Sequence, residues 1–230
     1  MYRMKVYLIN GSPRKNMNTA QLIESAKNGA ESEGAETEII HLYDYCYRGC
    51  INCFACKKVY NNTNGLCNYR DELHPVLRKM QQADAIIVGA PIYFGYMNAQ
   101  TRAFIERLVF PIHTYLIDEW TGERIKIIKR VIPTGLIFSM NNPEWKVRNI
   151  SQYSSMLING NIFEQEFGYN EMIYAYDTCQ FDDYSKYEVN IFDESDKLKH
   201  HQEHFPKDLN NAKELGINLV RKVKELNGAI

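Results

Sequence analysis

The chain of 230 residues has no surplus of charge of either sign: 27 Lys and Arg stand against 28 Asp and Glu, for a net charge of −1. That balance excludes a polybasic binder of nucleic acid or membrane surfaces, and it argues against a very acidic shuttle that steers itself to basic partners. A disordered acidic chain is excluded too, because 45% of the residues are hydrophobic. Long hydrophobic runs are missing. The most apolar stretch, Ala85 to Pro91, falls far short of the ~20 residues of a membrane span, and the first residues carry Arg3 and Lys5 without the apolar core of a signal peptide. No membrane partner is expected, and the expected location is the cytoplasm.

No Pro- or Gly-rich linker divides the chain and no segment repeats, so the sequence reads as one domain over residues 1–230. Three chemical signatures are absent as well. There is no Gly-x-x-x-x-Gly-Lys-Ser/Thr loop of a nucleoside triphosphatase, no Gly-x-Gly-x-x-Gly after the first apolar run, and no His-Glu-x-x-His of a zinc protease. No Ser-His-Asp or Cys-His arrangement can be read from residue order, and no catalytic residue is nominated.

What is present is a regular alternation. Lys5 to Asn10 is apolar on successive positions, as suits a strand buried on both faces of a parallel sheet. Leu22, Ile23, Ala26 and Ala30 then recur at helical spacing. A second strand is expected over Glu38 to Leu42, a helix around Leu73, Val76, Leu77 and Met80, a third strand over Ala85 to Ala90 and a helix over Ala99 to Leu108. Residues 111–130 read as an irregular insertion with a turn at 120–123. A fourth strand is expected over Val131 to Phe138, a helix around Tyr153, Met156 and Leu157, and a fifth strand within Phe163 to Tyr176. A last helix, entered at Pro206, carries Leu209, Ala212, Gly216, Leu219, Val223 and Leu226 on one stripe. Residues 177–205 are expected to form an extended surface segment or subunit contact. Strands alternating with helices over this length predict an α/β protein with a doubly wound parallel sheet.

In such a sheet ligands bind beyond the carboxyl ends of the strands, where strand order reverses. Residues 11–19 occupy that place after the first strand. Ser12, Arg14, Asn16, Met17, Asn18 and Thr19 bring hydroxyls, amides and a guanidinium to a helix start, a composition suited to a phosphate dianion. A single terminal phosphate, as on a mononucleotide, is the better match. The plainer alternative is a polar turn with Asn18 as helix cap. A second loop follows the third strand, with Pro91, Ile92, Tyr93, Phe94 and Gly95; its plainer reading is core aromatics at a strand end. A third, Ser139 to Asn142, ends the fourth strand on the same side.

Gly11-Ser12-Pro13-Arg14 with Asn18-Thr19 resembles the flavin phosphate loop of the NADPH-dependent FMN reductase and iron-sulfur flavoprotein branch of the flavodoxin-like superfamily. The run from Pro91 to Met97, leading to Phe104-Ile105-Glu106-Arg107, looks like the same branch's second flavin loop and following helix. The resemblance covers roughly residues 4 to 110. It implies a flavodoxin-like five-stranded parallel sheet in the order 2-1-3-4-5. It further implies bound FMN with residues 92 to 95 along the isoalloxazine edge, and Tyr93 and Phe94 as aromatic walls.

Cysteine is the unusual component. Cys46, Cys50, Cys53 and Cys56 lie close together, Cys67 follows Cys56 after a gap of ten residues, and Cys179 stands alone. In a reducing compartment such a loop, 46–67, reads as metal-binding or redox-active. Cys50, Cys53, Cys56 and Cys67 could hold the corners of a 4Fe–4S cluster. They could instead bind zinc, although zinc sites usually pair two Cys-x-x-Cys units, or remain unligated beside a flavin. The resemblance to iron-sulfur flavoproteins speaks for the cluster, while the ten-residue gap is longer than that family's. Cys46 and Cys179 fit no motif. His200, His201 and His204 sit among Lys, Gln and Glu and read as a solvated tail.

The function implied is an FMN-dependent oxidoreductase, taking reducing equivalents from NAD(P)H and passing them to a small-molecule or protein acceptor. A homodimer or homotetramer is expected. The alternatives are a non-enzymatic electron-transfer flavoprotein, with or without an iron-sulfur cluster, and a zinc-binding redox module.

Overall fold

The computed structural model describes residues 3–59, 63–149 and 152–228. Its strands are β1 (Lys5–Asn10), β2 (Glu36–His41), β3 (Ala85–Tyr93), β4 (Tyr96–Met97), β5 (Thr134–Ser139) and β6 (Asn170–Ala175). The five long strands pair in parallel in the order β2-β1-β3-β5-β6, and the two-residue β4 folds back antiparallel onto the end of β3. Counting long strands alone, this is the expected order 2-1-3-4-5. The helices are α1 (Asn18–Ser32), α2 (Leu73–Gln81), α3 (Ala99–Val109), α4 (Glu144–Asn149), α5 (Gln152–Phe167) and α6 (Glu194–Leu226).

Both faces of the sheet are buried, and the period of two along each strand divides its side chains between two cores. Val6, Leu8, Ala85, Ile87 and Ile137 pack with the apolar sides of α1 and α6. Tyr7, Ile9, Ile86, Val88, Leu136 and Phe138 pack with α2, α3 and α5 on the other side. This is why the strands are apolar at successive positions, whereas amphipathic strands alternate.

The last strand lies within the expected stretch from Phe163 to Tyr176, beginning at Asn170 after a turn at Gly168. The last helix starts twelve residues before Pro206, because Asp193 caps it by accepting the Asp196 N–H at 3.0 Å. Pro206 then lies inside the helix on its exposed side, where the hydrogen bond it cannot make leaves only a solvated carbonyl one turn back. Residues 111–130 are irregular as expected, apart from one antiparallel bridge between Ile117 and Arg124. The turn they close is held by Asp118, whose side chain accepts the N–H groups of Trp120 and Thr121.

The contact between α1 and α6 depends on glycine. A Cβ on Gly216 would lie 2.0 Å from the Ala26 carbonyl oxygen, and one on Gly29 2.0 Å from that of Lys213. Neither obstacle is a flexible side chain, so the two helix backbones touch only because these positions are bare. Glu33 adds an ion pair at the far end, to Arg221 and Lys224 at 2.8 and 2.7 Å. Gly216→Val is expected to destabilise the fold by about 1–3 kcal/mol through overpacking. Thermal unfolding followed by circular dichroism should therefore show a fall in Tm of roughly 2–12 °C.

Candidate functional site

Strand order reverses between β1 and β3, and the loops at their carboxyl ends face one another across that point. After β1 the chain turns at Gly11 and enters α1. The residue before the helix, Met17, is extended and its side chain makes no capping bond. Among the described residues no other side chain caps this start, so the first-turn N–H groups are left for whatever lies in front of them. Asn18 is not the cap that a plain polar turn would use. It is the first helical residue, and its amide donates to the Cys179 carbonyl at 2.7 Å.

Buried polar contacts fix the loop from behind. The Ser12 N–H donates to the Asn10 side chain at 3.0 Å, and the Ser12 hydroxyl accepts the Arg14 N–H at 3.1 Å. Asn98, just before α3, donates its amide to the Gly11 carbonyl at 2.7 Å and accepts the Thr101 hydroxyl at 2.6 Å. The approach is close enough that a Cβ on Gly11 would sit 2.0 Å from the Thr101 oxygen. On the other flank the Thr19 and Ser139 hydroxyls share a hydrogen bond of 2.6 Å, joining this loop to the end of β5.

The loops surround an open cavity of about 580 Å³, within the ~300–1,000 Å³ typical of small-molecule sites. Of the residues expected at the site, Ser12, Arg14, Met17, Asn18, Thr19, Pro91, Ile92, Tyr93, Phe94 and Gly95 line it, as does the third loop, Ser139 to Asn142. Asn16 does not; it is exposed, and its carbonyl accepts the Gln21 amide. Phe94 and Gly95 both take left-handed backbone and form the turn between β3 and β4. The Phe94 ring is fully exposed and Tyr93 is 47% exposed, so neither is a core aromatic. Both stand at the cavity's rim.

A fourth wall was not expected. Thr178, Cys179, Gln180, Phe181 and Tyr187 also line the cavity, and the Phe181 and Tyr187 rings stack at 4.1 Å. Arg14 donates to the Gln180 carbonyl at 2.5 Å, so this segment is strapped to the first loop. Lys197, 5% exposed, anchors it from below by donating to the Asn141 carbonyl at 2.7 Å and pairing with Asp177. Residues 177–205 are therefore part cavity wall and part helix, not an extended surface segment throughout. The only trace of this in the sequence is the density of aromatic residues from Tyr176 to Phe192.

The cysteine-rich loop follows β2 and packs against α3. The Cys46 N–H donates to Glu72 at 2.5 Å and the Cys50 N–H to Glu106 at 3.1 Å. Cys50, Cys53, Cys56 and Cys67 come together around one narrow pocket with Tyr69, Arg107 and Phe110. All six cysteines are free thiols; Cys46 stands outside this pocket, exposed, and Cys179 is buried in the wall of the large cavity. Burial pushes the Cys56 thiol up; the charge of Lys57 opposes that shift, and the neighbouring Cys67 and Cys50 add to it. Among the described residues, no three Cys, His, Asp or Glu side chains converge on a point where one ion could be shared. His200 and His204 stack on each other at 4.2 Å along α6, with Asp177 3.7 Å from His200.

A model of the family described as NADPH-dependent FMN reductase matches residues 4–131, more than half of the chain. Over 104 residues the sequence is 42% identical to an iron-sulfur flavoprotein of Methanocaldococcus jannaschii, covering 45% of this chain and 51% of that protein. An iron-sulfur flavoprotein of Methanosarcina thermophila is 35% identical over 106 residues, 46% of this chain and 53% of the relative. The chain spans about half the length of the curated relatives it matches. Among solved structures, an NAD(P)H:quinone oxidoreductase from Methanothermobacter marburgensis superposes with a TM-score of 0.61 at 15% identity, covering 95% of this chain and 98% of that one. An FMN-dependent NADH-azoreductase from Bacillus anthracis, in complex with FMN, also gives 0.61, at 14% identity over 93% and 99% of the two chains. At these identities the likeness is one of fold.

Proposed function

Because the chain belongs to the NADPH-dependent FMN reductase family, we propose that it is an FMN-dependent oxidoreductase working as a single domain over residues 1–230. The observation that carries this reading is the start of α1, which no side chain among the described residues caps and which opens on the large cavity between β1 and β3. The backbone N–H groups of Asn18 and Thr19 at the helix start, with Ser12 and Arg14 of the loop, would hold the phosphate there, and Met17 lines the same cavity. Pro91 to Gly95 would lie along the isoalloxazine edge. Bound FMN would supply the redox chemistry, accepting a hydride from NADH or NADPH and passing reducing equivalents to an acceptor. The chain's own work is to bind, orient and shield. The Phe181–Tyr187 pair and Tyr93 supply flat apolar surface around the cavity. Burial raises the Tyr93 hydroxyl above its ordinary value.

The four-thiol pocket supports a second cofactor, a 4Fe–4S cluster held by Cys50, Cys53, Cys56 and Cys67. A cubane takes one thiolate at each iron, so its ligands surround a volume instead of meeting at a point. Zinc sites usually pair two Cys-x-x-Cys units, which this spacing lacks. The donor chemistry fits the cluster. The space between the thiols is only about 20 Å³, so loading requires the loop bearing the exposed Cys53 and Phe54 to step outward. A cluster would supply one-electron transfer.

We further propose a homodimer or homotetramer in the cytoplasm. Tyr115, Leu116, Ile117 and Trp120 expose large apolar side chains on the arm between residues 111 and 130, Trp120 at 95%, more than a solvated loop needs. Six free thiols suit a reducing compartment. Among the described residues no helix is long and apolar enough to cross a membrane. Sedimentation of the FMN-loaded protein should give a dimer or tetramer; a monomer at all concentrations contradicts this assembly.

Purified anaerobically, the protein is expected to carry about one FMN per chain. Arg14→Ala should weaken FMN binding by roughly tenfold, the lower end of the ~1.5–3 kcal/mol of a charge-assisted bond because Arg14 is solvent-exposed. Fluorescence titration of the apoprotein measures this. A colourless protein that binds no FMN contradicts the proposed function.

A further inference from the structure

Arg107 is the largest of the fully buried side chains, and its guanidinium lies against the four-thiol pocket. The side chain is 1% exposed. It donates to three acceptors, all on the segments that carry the thiols or lead from them: the Arg48 carbonyl at 3.2 Å, the Tyr69 carbonyl at 2.8 Å and the Asp71 carboxylate at 2.5 Å. Arg48 lies two residues before Cys50, and Tyr69 two residues after Cys67. One guanidinium thus ties both ends of the thiol-bearing stretch to α3. Its neighbour Glu106 holds the same stretch through the Cys50 N–H. Two carbonyls and a carboxylate take three of its five N–H donors, and one of the two left over is on Nε. Arg107 Nε is buried and has no partner.

A buried N–H without an acceptor costs about 1–3 kcal/mol, and on a side chain that lines a pocket of thiols it points to an acceptor that belongs there. The core of a 4Fe–4S cluster neutralises only part of the charge of its four thiolates, so the loaded site stays net negative beside Asp71 and Glu106, a burden that nearby cations relieve. Two are at hand. Lys57, next to Cys56, is held against the end of α3 by the carbonyls of Phe110 and His113; Arg107 is the one that touches both thiol segments.

We propose that Arg107 is the positioning and charge-compensating residue of the four-thiol site, holding its two segments in register and donating its free Nε–H to sulfur when a cluster is bound. This rests on the cluster reading above. A cation and a donor at the sulfurs favour the more negative, reduced form of a cluster and so raise its reduction potential. The Asp71 carboxylate acts in the opposite direction through the same guanidinium.

The test uses the full chain purified anaerobically as wild type, Arg107→Gln and Asp71→Asn. FMN, iron and sulfide are assayed, iron release to a chelator is timed, and the potential is read by spectroelectrochemical titration. Arg107→Gln should keep its FMN, release iron roughly 10–100-fold faster and show a lower potential wherever iron remains. Asp71→Asn should shift the potential upward. A merely structural role would not move the two potentials in opposite directions. Unchanged release and potential in an iron-loaded Arg107→Gln protein overturn the proposal. Should that variant lose FMN as well as iron, it has failed to fold and Asp71→Asn decides: an upward shift supports the role, no upward shift overturns it. A wild-type protein with FMN but neither iron nor sulfide overturns the cluster reading itself, and the role of Arg107 with it.

Discussion

The arrangement depends on a helix start that is left uncapped. Most helices satisfy their first N–H groups with a side chain of their own; α1 does not, and the polar residues around it are committed elsewhere. Ser12 and Asn10 brace the backbone of the loop, and Asn18 reaches across to Cys179. Thr19 joins Ser139. The result is a set of backbone donors held in place and aimed at the cavity, an arrangement that suits a compact anion better than any protein group nearby. Every loop that lines the cavity is connected to this point by a hydrogen bond or through the strand that precedes it.

Helix α3 links that site to the cysteines. At its first turn Thr101, together with Asn98 before it, holds the carbonyl of Gly11 and so the phosphate loop. Two turns further on Glu106 and Arg107 hold the thiol-bearing loop. A single rigid element therefore sets the position of both the cavity and the thiol pocket. The Tyr47 hydroxyl, which donates to the Gln100 carbonyl at 2.7 Å, adds a tie between the cysteine loop and the start of the same helix. Were the proposed FMN and cluster both bound, fixing them to one helix would keep their separation constant.

Much of this was legible in the sequence because it is local. The apolar strands, the polar loop after Asn10 and the turn after Ile92 each announce themselves within ten residues, and chain order alone brings their ends together in a parallel sheet. The wall formed by Thr178 to Phe181 and Tyr187 was not legible, since its contacts with Arg14 and Asn18 span more than 160 residues and depend on Lys197 beneath it. Arg107 was hidden for a similar reason. In the sequence it appears only as the last residue of the Phe104–Arg107 run on an amphipathic helix, where nothing marks it as buried while Arg102 is exposed; its burial follows from the cysteine loop folding over it. The start of α6 turned on a single competing signal, the Asp193 cap, which outweighed Pro206 as the point of entry.

The account stands on the claim that the loop from Ser12 to Thr19 recognises a terminal phosphate. Comparing the affinities of the apoprotein for FMN and for riboflavin, which differ only by that phosphate, tests it most directly. FMN should bind at least about a hundredfold more tightly, as expected for the loss of several charge-assisted hydrogen bonds. Equal affinity for the two flavins would contradict the account.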